Sequence, residues 1–290
     1  MRSLLFVPAD SERKLARAPQ TGADALILDL EDSVVPENRP QARVAARAFL
    51  AASRGSSFRR FVRINPLASE WALEDLAAVI PAGPDGILLP KCVPADLSSL
   101  DHALSALEAA SGLAAGAVKV IAIATETPQA MFSLGGYQGV SDRLEGLTWG
   151  AEDLAAVVGG NNRRKDGVYE DVYRLARALC LLAAAAAGVA AIDTVSTDFA
   201  DEKGLRAECE AARRAGFVAK IAIHPAQVGV INKAFTASEE EIAWAKKVVS
   251  LFAQNPGSGT IALEGRMLDR PHLTLARRLL GLGGKGSAGG

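Results

Sequence analysis

Cysteine is scarce in this chain. Cys92, Cys180 and Cys209 lie far apart and show no ligand-like spacing with the three histidines. That excludes a disulfide framework and a thiolate–imidazole zinc centre, and it suits a reducing cytoplasm. An excess of charge of either sign is also missing: 32 basic residues nearly balance 33 acidic ones, so nothing advertises a nucleic acid partner. Long hydrophobic runs are absent too. The stretch ALCLLAAAAAGVAAI at 178–192 holds about 15 uncharged residues, short of the ~20 a spanning helix needs, and reads as a packed helix running into a strand. The opening MRSLLFVPAD has only a brief apolar run before Pro8 and Asp10, too short for a secretory signal core. A cytoplasmic protein with no membrane partner is expected.

What is present is a regular alternation. Eight short apolar runs, at 2–7, 23–30, 60–64, 85–90, 118–124, 144–149, 190–195 and 218–223, are separated by helical patterns such as 11–19, 38–52, 69–79, 94–110, 168–187 and 201–215. No G-x-G-x-x-G follows the first run and no G-x-x-x-x-G-K-[ST] occurs, which weakens a nucleotide-binding open sheet. The pattern predicts an α/β protein built on a (β/α)8 TIM barrel over 1–235. A C-terminal helical extension over 236–281 would pack on the barrel or on a neighbouring subunit, with helices at 238–254 and near the end, and 282–290 would form a flexible tail.

In such a barrel the residues that follow strands collect at one mouth. Here they are Asp29, Glu31 and Asp32, then Arg63 and Asn65, Lys91, Glu126, Glu152 and Asp153, and His224. Glu126 and Asp153 follow neighbouring strands, and with the acids of LDLEDS across the mouth they would form an oxygen-rich site for a hard cation such as Mg2+. Taken singly, each acid reads first as a helix cap, and it is the pair on adjacent strands that brings in the metal reading. Arg63, flanked by Val62 and Ile64, would point inward and could bind a carboxylate or an enolate oxygen, or simply form a salt bridge. Lys91 carries the same ambiguity. His224, ahead of Pro225, reads as a structural residue, and Trp149 and Trp244 as packing. Arg13 and Arg17 share a helix face that could hold an anion or only meet solvent, as could the loop GGNNRRKDG at 159–167. Periodicity does not place Asp269.

The segments SLLFVPADSERKLARA, LDLEDSV, FVRINP, LLPK, ETP, WGAEDL, DGVYEDV, GFVAKIAIHPAQ and EGRMLDRP occur in order across residues 2–280. Together they resemble the citrate lyase beta-subunit-like branch of the HpcH/HpaI aldolase/citrate lyase family. The resemblance implies a (β/α)8 barrel assembled as a homotrimer or dimer of trimers, dependent on Mg2+ or Mn2+, with coenzyme A as part of the substrate. It implies that Glu126 and Asp153 bind the metal and that Arg63 contacts the oxoacid and the developing enolate. Phe6, Arg13 and Arg17 fall where members contact coenzyme A. Asp269 matches an acid/base aspartate brought over the mouth by a neighbouring subunit. Glu31, Asp32 and Lys91 then move to supporting roles, holding metal-bound waters or orienting one another and Arg63. Two departures are Ala9, where many members have glycine, and the loop of Asn161 and Asn162, which varies between subgroups.

The implied reaction is the reversible Claisen-type cleavage of a 3-hydroxy-dicarboxyl-CoA, of malyl or citramalyl type, to an acyl-CoA and a 2-oxoacid. Two rivals remain on the same scaffold: a malyl-CoA-type thioesterase, and a citrate lyase beta subunit that needs an acyl-carrier partner.

Overall fold

In a computed structural model that describes residues 1–163 and 167–282, eight parallel strands follow one another round a closed barrel. They are β1 (Ser3–Pro8), β2 (Ala25–Asp29), β3 (Arg59–Arg63), β4 (Gly86–Leu89), β5 (Lys119–Ile123), β6 (Leu144–Thr148), β7 (Ala190–Asp193) and β8 (Ala219–Ala222). The outer helices are α1 (Glu12–Arg17), α2 (Arg39–Ala52), α3 (Ala72–Val79), α4 (Pro94–Ala110), α5 (Pro128–Ser133), α6 (Ala151–Val158), α7 (Asp171–Ala187), α8 (Glu202–Ala215) and α9 (Pro225–Phe235). The chain is therefore a (β/α)8 barrel.

The strands are apolar on both faces because each face is covered. Ile27, Phe61, Leu88, Ile121, Ile192 and Ile221 fill the barrel interior. Leu28, Val62, Ile87, Leu89 and Leu147 point the other way, into the layer between sheet and helices. Burying each such side chain contributes roughly 1.5–3 kcal/mol. Gly86 shows how tightly the interior is filled, since a Cβ there would lie 2.5 Å from the Phe61 ring. The stretch 178–192 forms the end of α7 and then β7, as its composition predicts. Among the described residues, no helix is long and apolar enough to cross a membrane.

The chain divides into two compact units, the barrel over Met1–Phe235 and a second unit from Thr236 onward. The second unit holds α10 (Glu239–Gln254), an antiparallel hairpin of β9 (Thr260–Leu263) and β10 (Arg266–Asp269), and α11 (Arg270–Leu279). Its own core is formed by Ala245, Val248, Phe252, Leu268, Leu273 and Ala276. A capping box opens α10: Glu241 N–H donates to Ser238 Oγ at 3.2 Å, and Ser238 N–H donates to Glu241 Oε2 at 2.7 Å. The hairpin is an addition to the helices expected here, because its strands are short and mostly exposed and leave no clean alternation. The expected tail lies outside the described residues from 283 onward.

Candidate active site

Arg63 ends β3 on the same side of the strand as Phe61, so its guanidinium enters the barrel mouth. Asp29 is its register partner on β2 and takes both ends of the fork, with Nε donating to Oδ1 and Nη2 to Oδ2, each at 2.7 Å. Nη1 donates to Asp32 Oδ2 at 3.4 Å. The Phe6 ring lies 4.5 Å from the guanidinium carbon, so both edge and face of Arg63 are held. Burial acts to raise the Asp29 carboxyl, but the Arg63 hydrogen bonds override it and hold the carboxyl below the usual carboxylate range.

Glu31 sits between two cations. Lys91 Nζ donates to its Oε1 at 2.6 Å, and Arg63 Nη1 lies 2.9 Å from its Oε2. The second contact is an ion pair without hydrogen-bond alignment, and Glu31 Oε2 is buried with no donor. Burial lifts the Glu31 carboxyl to about 7 in spite of both cations.

Lys91 follows β4 with a left-handed backbone, φ 50°, a conformation L residues rarely adopt. This turn aims its N–H at Glu126 Oε2, 2.6 Å away, while its ammonium reaches Glu31 and lies 3.2 Å from Asp153 Oδ1. One residue thus contacts three carboxylates by two routes. Burial works against the charged ammonium, and Glu31 more than restores it, so the Lys91 pKa stands above its ordinary value.

Glu126 is buried at the end of the β5 loop, just before Thr127 caps α5 by accepting from Ala130 N–H at 3.1 Å. Proline at the first helical position fixes that start. Gly150 makes room for the acid: a Cβ there would lie 2.6 Å from Glu126 Cγ and 3.0 Å from Oε1. Gly150 N–H is in turn anchored on Thr125 Oγ1 at 3.0 Å. Asp153 stands in the first turn of α6 and is partly exposed. Burial, and then the neighbouring charge of Asp153, push the Glu126 carboxyl up to about 8.

Among the described residues, no three His, Cys, Asp or Glu side chains gather closely enough to hold a metal by themselves. Asp29, Glu31 and Asp32 pair with Arg63 and Lys91. That leaves Glu126 and Asp153. Two neighbouring carboxylates, one of them buried and disfavoured by the other's charge, fit a hard divalent ion that keeps waters and takes further oxygens from a substrate.

The other candidates on the barrel fall outside this cluster. Asn65 is structural, donating its side-chain amide to Leu30 O at 3.0 Å and Asp75 Oδ2 at 2.7 Å. His224 is exposed, stacks on Phe199 and accepts from Ala226 N–H at 3.2 Å. Trp149 is buried and donates to Asp193 at 2.8 Å. Arg13 and Arg17 are exposed on α1 and form no ion pair among the described residues. In the loop at 159–167, Asn162 donates to Glu152 Oε1 at 2.7 Å and Arg163 to Glu208 Oε1 at 2.7 Å. Arg164, Lys165 and Asp166 lie outside the described residues. In the second unit, Asp269 ends β10 beside His272 Nδ1, 2.5 Å from its Oδ1.

The sequence places Asp29 at the mouth without pairing it to Arg63, and gives no sign of Gly150. Asp29, rather than Glu31 or Asp32, is the main partner of Arg63, and Gly150 is what admits Glu126. Only the strand register and the packing reveal them.

The HpcH/HpaI aldolase/citrate lyase family model matches residues 2–225. A citrate lyase subunit beta-like protein of Mycobacterium tuberculosis is 36% identical over 285 residues, covering 98% of this chain and 96% of that protein. A (3S)-malyl-CoA thioesterase of Cereibacter sphaeroides is 36% identical over 283 residues, covering 96% of this chain and 93% of the relative. Among solved structures, CitE of Mycobacterium tuberculosis in complex with magnesium, acetoacetate and coenzyme A is 35% identical. It superposes with a TM-score of 0.78 over 97% of each chain. The chain belongs to the HpcH/HpaI aldolase/citrate lyase family.

Proposed function

We propose that the chain is a Mg2+-dependent carbon–carbon lyase that cleaves a 3-hydroxy-dicarboxyl-CoA, of malyl or citramalyl type, to an acyl-CoA and a 2-oxoacid. The observation that carries this reading is Lys91, whose backbone N–H reaches Glu126 and whose ammonium reaches Asp153 and the same Glu31 that flanks Arg63. The magnesium, acetoacetate and coenzyme A bound together in the Mycobacterium tuberculosis structure support it.

Glu126 and Asp153 would hold the cation, Mg2+ or Mn2+, with Gly150 and the Lys91 N–H fixing the carboxylate of Glu126. The ion, when bound, lowers the cost of negative charge on the oxygen of the bond-breaking carbon. Asp29 and Asp32 engage three of the five guanidinium hydrogens of Arg63 and Nη1 also abuts Glu31 Oε2, which leaves the second Nη2 hydrogen to take the enolate oxygen of the departing acyl thioester. The carboxylates around Arg63 keep it charged and stationary, so little reorganisation accompanies the reaction. Asp269 exchanges a proton with the acyl carbon, as acid in cleavage and base in condensation. Phe6, Arg13 and Arg17 serve the coenzyme A moiety. In this reading the protein works in the cytoplasm as a homotrimer or dimer of trimers, each mouth completed by the C-terminal segment of a neighbouring copy.

The test is metal binding and turnover in three variants. Glu126→Gln and Asp153→Asn should each lose Mg2+ affinity and turnover while keeping the circular dichroism of the folded barrel, and Asp269→Ala should lose turnover but still bind acyl-CoA. Full Mg2+ affinity in both metal-site variants would refute the ligand assignment.

A second reading is favoured by one observation, the 36% identity to a (3S)-malyl-CoA thioesterase over nearly the whole chain. In it the same cation and a carboxylate would activate water against the thioester. The products separate the two, since hydrolysis leaves the hydroxy-diacid intact.

A further inference from the structure

β10 ends at Asp269 and α11 starts at Arg270, with Pro271 in its first turn. The i, i+3 spacing carries the His272 ring back over Asp269. His272 Nδ1 lies 2.5 Å from Asp269 Oδ1 and 3.2 Å from the backbone nitrogen of the same aspartate.

Those two distances constrain the protons. An imidazole nitrogen and a carboxylate oxygen at 2.5 Å repel unless a proton lies between them. If the proton is on Nδ1, the ring donates to the carboxylate and the Asp269 N–H has no acceptor there. If it is on Oδ1, the acid donates to the ring. Either way the two side chains hold one shared proton. Both are 42% exposed, so that proton can be replaced from water.

A helix start does not require this. Glutamine or glutamate at the same position would reach back to the Asp269 N–H and complete a capping box. Histidine adds a titratable proton to the cap. The other charged groups around the ring are Glu264 and Arg266 of the hairpin, and Glu264 is paired with Lys247 of α10 at 3.2 Å, while Trp244, Met267 and Leu268 complete the surroundings. The His272 ring, helped by the His272 backbone N–H, holds the Asp269 carboxyl below the usual carboxylate range. An aspartate kept ionised is ready to remove a proton but has none to give.

We propose that Asp269 and His272 act as one proton-exchanging pair, in which His272 is the positioning residue that orients Asp269 and supplies its proton. The inference rests on the acid/base reading of Asp269 given above. In cleavage, the shared proton passes from Nδ1 to the carboxylate and on to the enolate carbon, forming the new C–H bond. As Nδ1 gives up its proton, Nε2 takes one from water, so the ring stays neutral, and exchange with water then returns the proton to Nδ1. In condensation the same transfers run backwards.

Two measurements test it. The chain has only three histidines, so the ring nitrogens of a protein labelled with 15N-histidine can be assigned by substitution. The ring of His272 should carry its proton on Nδ1 in the wild type. In Asp269→Ala, where only the backbone N–H remains as a partner, it should move to Nε2. Identical nitrogen signals in the two proteins would overturn the pairing whatever the substrate proves to be. The second measurement is steady-state kinetics of His272→Gln, which keeps the cap but lacks the proton. The expected result is a kcat lower by about tenfold or more, an unchanged KM and Tm, and a displaced limb of the kcat–pH profile. Full kcat with an unmoved profile would leave His272 as a cap alone and overturn the proposal. Inactivity of the wild type on every thioester would sink the lyase reading instead, and the nitrogen signals would still decide the pair.

Discussion

Arg63 and Asp29 face each other as register partners on adjacent strands and are joined by two hydrogen bonds of 2.7 Å, both inside the barrel mouth. Each group is buried, so neither is tolerable without the other. Asp29→Ala would strand a guanidinium with only the ion pairs to Glu31 and Asp32. The expected loss is about 3–5 kcal/mol of unfolding free energy, read from denaturant midpoints, together with loss of turnover as Arg63 becomes free to move. A midpoint equal to the wild type would mean that the pair does not anchor the site.

Gly150→Ala probes the space beside Glu126. The added methyl would lie 2.6 Å from Glu126 Cγ, so the acid must swing away from Lys91 N–H. Mg2+ affinity should fall by about 10–100-fold, the usual cost of disturbing the support of a metal ligand. Calorimetric titration with Mg2+ measures it, and unaltered affinity would show that Glu126 does not need this pocket.

The pH dependence of metal-free stability follows from Glu126. Its carboxyl is raised from the ordinary 4.5 to about 8, so the folded protein binds that proton more tightly than the unfolded chain. The resulting stability is fully present below about 4.5 and is lost as pH rises through about 8. Glu31, raised to about 7, acts in the same direction. Thermal melts of the metal-free protein should therefore fall in Tm from pH 5 towards pH 8, and Glu126→Gln should flatten that slope. A slope equal in the variant would assign the dependence elsewhere.

The sequence carries the barrel well because eight short apolar runs alternate with longer amphipathic ones, and both strand faces are covered. It carries α5 and α6 poorly, since six and eight residues complete too few turns for a period to show. Glu126 and Asp153 are legible as acids that end neighbouring strand loops, and Arg63 as a cation between apolar neighbours. Asp29 is not legible as the partner of Arg63, because Asp29, Glu31 and Asp32 look alike in sequence and only the register selects one. Lys91 gives no sign of its left-handed turn either, as that conformation is imposed by contacts to residues far along the chain.

Carbon–carbon cleavage is tested most sharply by the mass of the products formed from malyl-, citramalyl- and methylmalyl-type CoA thioesters with and without Mg2+. The expected products are an acyl-CoA and a 2-oxoacid, formed only when the metal is present. Release of free coenzyme A with the intact hydroxy-diacid would contradict carbon–carbon cleavage and favour the thioesterase, and turnover that persists without a divalent metal would contradict the roles given to Glu126 and Asp153.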